Sequence, residues 1–197
     1  MEDSYIKDVG EYYPVDEMET YVRMAYYDLD TLVGIWVEEI LYPDQFYMDQ
    51  KEEVRGIFGE LIDELEREQE RWPEETDFDR LEKVFARLNG QGVVCTHHVG
   101  LEDWMRPGVD SLEYLSLLDI EKVVGCCYYT FVDMMSAIES DSLSLQYDSM
   151  NPCCDNEKMV AVGRLIRAAL ETEGFEVEWN GNPEASIIIE DFDWQRW

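Results

Sequence analysis

Apolar residues recur every three or four positions along the first half of the chain. From Gln50 to Arg71 they fall at Val54, Ile57, Phe58, Leu61, Ile62 and Leu65, a spacing that places them on one side of an α-helix. The other side carries Glu52, Glu53, Glu60, Asp63, Glu64, Glu66, Glu68 and Glu70, relieved by Arg55, Arg67 and Arg71. Two shorter helices are predicted before it, Asp16 to Tyr27 and Asp30 to Leu41, broken around Asp28-Leu29-Asp30 and stopped by Pro43. Pro73 ends the long helix. Thr76, with Asp79 three residues on, then resembles a capping box. Leu81, Val84, Phe85 and Leu88 are the buried stripe of that next helix, and Asn89-Gly90 stops it.

The period shortens after Gly92. Val93 to Val99 reads as a strand, and Val123 to Phe131 as a second one, apolar on both faces and hence central in its sheet. Ser142 to Asp148 sets Leu143, Leu145 and Tyr147 against Ser144, Gln146 and Asp148. Phe175 to Asn180 alternates in the same way, and Ser186 to Glu190 is the last strand. Between the third and fourth strands a helix runs from Asp155 to Glu173, with Met159, Val162, Ile166, Ala169 and Leu170 inward and Gly174 as its stop. The turn Asn180-Gly181-Asn182-Pro183 makes the final two strands an antiparallel hairpin. The expected class is α+β: N-terminal helices packed with a mixed sheet of about five strands and interleaved helices. Residues 1–71 form the helical region and 72–197 the α+β domain, together one compact unit.

Charge changes the picture most. Asp and Glu number 46 against 15 Lys and Arg, a net charge of −31 over 197 residues. Such a surface repels phosphates, so nucleic acid and anionic membrane are excluded as partners, and it steers toward cationic ones. A high-salt habitat is another source of acidity, and only five lysines are present. Hydrophobic residues make up 46% of the chain, enough for a folded core. No apolar run is long enough to span a membrane. The start, MEDSYIKDVGEYYPVDE, has neither a basic n-region nor an apolar h-region, so the expected location is cytoplasmic with reduced thiols.

Candidate chemistry centres on VVCTHHVG, Val93 to Gly100, which holds both histidines of the chain. On a strand, Cys95 and His97 share a face and His98 points away. Cys126 or Cys127 on the neighbouring strand could add a third ligand, giving Cys95, His97 and Cys127 as the metal set. The spacing lacks the Cys-x-x-Cys signature of zinc sites. Cys153 and Cys154 precede a helix, but Asp155 and Glu157 oppose a thiolate there. No phosphate loop or serine elbow occurs. No residue is nominated as catalytic and no cofactor is implied.

Two blocks carry a resemblance. WPEETDFDRLEKVFARLNGQGVV, Trp72 to Val94, and VAVGRLIRAALETEGFEVEWNGNPEASIIIEDFDWQR, Val160 to Arg196, resemble an uncharacterised bacterial family of unknown function. The shared positions are Trp72, Pro73, Thr76, Asp77, Asp79, Arg80 and Leu81, then Trp179, Asn180, Gly181, Asp193, Trp194 and Arg196. The resemblance implies a common fold and no activity. Family members carry a cysteine-rich segment after the first strand and a His in the second. Here HHVGLEDWM and YYTFVDMM stand in those places, which moves the reading away from an enzyme. Asp77 and Asp79 suit a helix first turn. Arg80 is expected to pair with a carboxylate across the fold, and Trp194 to pin the C-terminus to the core.

The expected function is an acidic protein that occupies a basic surface of another protein, as an immunity protein or inhibitor does. Its contact residues would be Glu53, Glu60, Asp63, Glu64, Glu68 and the aromatic Trp104. The alternative is a metal-binding protein or enzyme built on Cys95, His97 and Cys127.

Overall fold

The computed structural model describes residues 15–40, 51–99, 122–149 and 156–196, with the side chains of residues 38–40 and 98–99 left aside. Trp104, Cys153 and Cys154 lie outside the described residues, as does the side chain of His98. The chain divides into two compact units, Met1–Glu74 with Gln195–Trp197, and Glu75–Trp194.

The first unit is helical. Helix α1 spans Val15–Arg23, α2 spans Leu29–Gly34 and continues as a π-helical turn over Ile35–Ile40, and α3 spans Lys51–Gln69. Their apolar stripes meet in a core of Met18, Val22, Leu32, Val33, Trp36, Val37, Val54 and Phe58. Trp36 stands edge-on to Tyr21 at 5.6 Å and to Phe58 at 5.7 Å, the geometry that ring quadrupoles favour. Helix α1 is shorter than its pattern predicts, because Ala25 takes left-handed backbone with φ 55°. The Arg196 guanidinium holds that turn, donating to the Ala25 carbonyl and lying 3.7 Å over the Tyr26 ring. Asp28 then accepts from the Thr31 amide at 2.8 Å and starts α2 afresh.

The second unit holds α4 (Asp77–Asn89), β1 (Val93–Val99), β2 (Gly125–Thr130), α5 (Phe131–Ser140), β3 (Leu143–Ser149), α6 (Asn156–Thr172), β4 (Glu176–Glu178) and β5 (Ile187–Glu190). The five strands form one mixed sheet in the order β1-β2-β3-β5-β4. β1 and β2 run parallel, and β3, β5 and β4 follow antiparallel to their neighbours. The class is α+β, with β4 and β5 as a hairpin-like pair. Val93, Cys95, Cys127, Tyr129, Leu143, Leu145, Tyr147, Ile187 and Ile189 are buried and share one face by register. Helix α4 packs on β1, and α6 on β2, β3 and β4. Gly163 lets α6 lie against the Trp179 ring, which stands edge-on to Tyr147 at 6.0 Å.

The capping box at Thr76 forms as expected, with Asp79 and Thr76 satisfying each other's backbone amides. The second strand ends earlier than predicted, at Thr130, and α5 begins with Phe131. Asp133 accepts from the Thr130 amide at 2.7 Å and hydroxyl at 2.6 Å, a second capping box that turns the chain into a helix.

Candidate functional site

Helix α3 buries Val54 and Phe58 and half-buries Ile57, Leu61, Ile62 and Leu65. Round the helix from that stripe, Glu53, Glu60, Asp63 and Glu64 are exposed. None of these four carboxylates makes an ion pair among the described residues. Even Arg67, four residues after Asp63, directs its Nε to the Asp63 backbone carbonyl at 2.9 Å. The ion pairs of the unit lie at the flanks. Arg55 meets Asp30 at 2.6 Å. Arg23 grips both oxygens of Glu68 at 2.9 and 3.0 Å and Glu19 at 2.7 Å. Burial alone would lower the Arg23 pKa, but its bonds to Glu68 and Glu19 outweigh that and raise it. Glu68 therefore belongs to the packing of α3 on α1, and the outward acidic face is Glu53, Glu60, Asp63 and Glu64.

The structure brings Cys95, His97 and Cys127 to one face of the sheet. Cys95 and Cys127 are register partners across the parallel pair. The Cys95 thiol donates to the Val93 carbonyl at 3.5 Å, and the neighbouring Cys95 thiol together with complete burial holds the Cys127 thiol well above its ordinary pKa. Cys126 faces the other way, where burial raises its pKa to about 11. An enclosed thiol behaves as a small hydrophobe, and a metal at Cys127 would have to displace its proton where burial disfavours the thiolate. The His97 ring is directed elsewhere. Its Nδ1 lies 3.0 Å from the Tyr129 hydroxyl, and Phe85 and Phe78 pack against it at 4.6 and 5.4 Å between centroids. Among the described residues no group of three or more His, Cys, Asp or Glu side chains is placed to hold a metal ion.

The residues of the two sequence blocks meet inside the second unit. Asp77 accepts from Arg80 at 2.5 Å with one oxygen and from the Asp193 amide at 3.1 Å with the other. Arg80 also donates to the Glu173 carbonyl at 2.9 Å and lies 4.1 Å over the Phe175 ring. Its carboxylate partner thus stands in its own helix, and its bond across the fold goes to backbone. The cross-fold carboxylate contact is made by Arg87, to Glu173 at 2.8 Å. Trp194 is buried, edge-on to Phe78 at 5.6 Å and Tyr129 at 5.7 Å. Trp179 Nε1 and the Tyr147 hydroxyl both donate to the Asn182 carbonyl at 3.2 Å, and the Asn180 side chain closes the turn on the Asn182 amide. These contacts hold architecture together.

No helix of the described residues is long and apolar enough to cross a membrane. The chain belongs to a family described as a domain of unknown function (DUF6891), whose model matches residues 11–197. No curated protein and no solved structure matches the chain.

Proposed function

We propose that this family member is an acidic binding protein that seats on a basic surface of another protein, in the manner of an immunity protein or small inhibitor. The observation that carries the reading is the outward face of α3. Glu60 and Glu64 are four residues apart, a like-charge pair that costs an isolated helix a few tenths of a kcal/mol. Arginines at such positions would convert that cost into stabilisation. The arginines that are present instead serve the helix flanks and the backbone. A helix selected for stability alone would pair its carboxylates; one that receives a cationic partner leaves them open. The field of a −31 chain then raises the rate of encounter with basic proteins.

The test begins with proteins retained on the immobilised chain at low salt. The expected partner is basic and associates fast at low ionic strength. Its on-rate falls steeply as salt rises, because attraction is screened over ~10 Å at 0.1 M. Charge reversal at Glu53, Glu60 and Glu64 should reduce the on-rate more than it raises the off-rate. A partner whose kinetics ignore both salt and these three substitutions would refute the proposal.

A further inference from the structure

The helical unit holds a groove of about 500 Å³ beside α3, within the size range of small-molecule clefts, ~300–1,000 Å³. Its floor is the outer surface of Val22, Leu29, Ile62 and Leu65. The last three pack on the core with one side and stay half-buried, so apolar surface remains open to the groove. Asp28, Asp63 and Glu66 stand among the lining residues and are exposed. No basic side chain lines the groove among the described residues, and Asp63 and Glu66 make no ion pair there. Asp28 uses Oδ1 on the Thr31 amide, and hydrogen bonds from the Thr31 side chain and backbone hold it below its ordinary pKa.

We infer that this groove receives an arginine side chain of the basic partner. The aliphatic stem lies on the apolar floor, and the guanidinium sits between the carboxylates of the α1–α2 turn and those of α3. The inference rests on the reading of the chain as an acidic binder and names the group it anchors. Both halves of the chemistry are needed. A purely apolar side chain would leave three carboxylates partly desolvated without a counter-charge. A bare cation would forgo the floor. Arginine carries a long apolar stem and a weakly hydrated planar head that bonds carboxylates through paired donors and stacks on aromatic rings. Tyr27 supplies such a ring at the groove wall. The turn that carries Asp28 is also held in advance. Arg196 binds the Ala25 carbonyl and covers Tyr26, so little ordering remains to be done on binding.

The test uses the full chain with methyl-labelled Ile, Leu and Val, and n-pentylguanidinium as the probe. Methyl shifts at Val22, Leu29, Ile62 and Leu65 should saturate together. Guanidinium alone and n-pentanol, each lacking one half of the chemistry, should bind at least about five-fold more weakly, the factor that one lost charge or apolar contact of modest strength gives. The double variant Asp63→Asn/Glu66→Gln should lose about the same factor for n-pentylguanidinium and nothing for n-pentanol. Pentanol binding as tightly as the guanidinium probe would overturn the inference, as would shifts centred away from these four residues or insensitive to the double variant. The triple reversal at Glu53, Glu60 and Glu64 separates this from the wider proposal. It should slow partner association while leaving the probe in the groove. If it leaves partner binding intact but the probe still saturates the groove, the outer face fails and the groove stands.

Discussion

Gly163 lies in the interior of α6, where glycine costs about 1 kcal/mol of helix stability relative to alanine. Replacing it with alanine should therefore stabilise the protein if nothing else intervened. The structure says that something does. A Cβ at this position would lie 2.6 and 2.7 Å from Cζ2 and Cη2 of Trp179 and 3.2 Å from Cζ of Tyr147. Optimal carbon–carbon separation is about 3.5–4.0 Å, so the overlap is close to 1 Å. The indole cannot retreat freely, because its Nε1 is bonded to the Asn182 carbonyl and the ring packs edge-on against Tyr147. Overpacking of this kind costs about 1–3 kcal/mol, occasionally more. Backbone adjustment of α6 over the sheet would add to it. Gly163→Ala should lose about 1 kcal/mol net of the propensity gain, a fall of roughly 2–4 °C in Tm for a chain of this size. Gly56→Ala is the internal control: its Cβ would meet nothing within 4 Å, so it should gain up to about 1 kcal/mol. Urea denaturation followed by circular dichroism measures both. Combining Gly163→Ala with Trp179→Leu should return part of the loss, a non-additivity expected of contacting residues. The reasoning fails if Gly163→Ala is as stable as the parent, or if the two substitutions simply add.

Three further outcomes follow from contacts described above. At pH 8 a thiol with a pKa of about 11 is ionised to about one part in a thousand. Cys126 and the still more enclosed Cys127 should therefore stay unmodified by iodoacetamide in the native state and react in urea, as read by peptide mass spectrometry. Thr130→Ala should cost about 1 kcal/mol through the lost cap. Asp133→Ala should cost more, because Asp133 is buried and also accepts from Gln146 Nε2 at 3.3 Å, and denaturation midpoints will rank them. Asp28 sits below its ordinary value of 3.8 in the folded chain. Its contribution is complete above that value and fades as pH falls through and below it, so Asp28→Asn should flatten the acid limb of the stability profile below about pH 4.

Much of the fold was legible because two periods and a few stop signals carried it. Thr76 with Asp79 announced α4, since the pair precedes a clean helical stripe. Thr130 with Asp133 is the same device, but it closes a continuous apolar run, and the run reads as strand through Phe131. Ala25 was invisible for a different reason. Its left-handed backbone is imposed by Arg196, distant in sequence, and alanine itself signals helix. The groove depends on that turn and so could not be read from pattern. The pattern put Glu68 on the acidic face with Glu60 and Glu64. Only the position of Arg23 on α1 decides that it is consumed within the fold. On the sheet, alternation correctly put Cys95 and His97 on one face. It could not show that Tyr129 and two phenylalanines claim the His97 ring.

The strand order has a consequence for how the chain is made. β5 lies between β3 and β4, although β4 is synthesised first. Until Ile187 to Glu190 emerge, β4 has no neighbour to pair with among the described strands, and β3 presents an open backbone edge along Leu143 to Leu145. Sheet assembly is thus tied to the emergence of β5, whose pairings with β3 span some forty residues of sequence, and such closures are slow. A nascent chain halted before Ile187 would carry an unprotected strand edge of the kind that templates aggregation. Chaperone demand should accordingly peak before β5 emerges and fall once it slots into place.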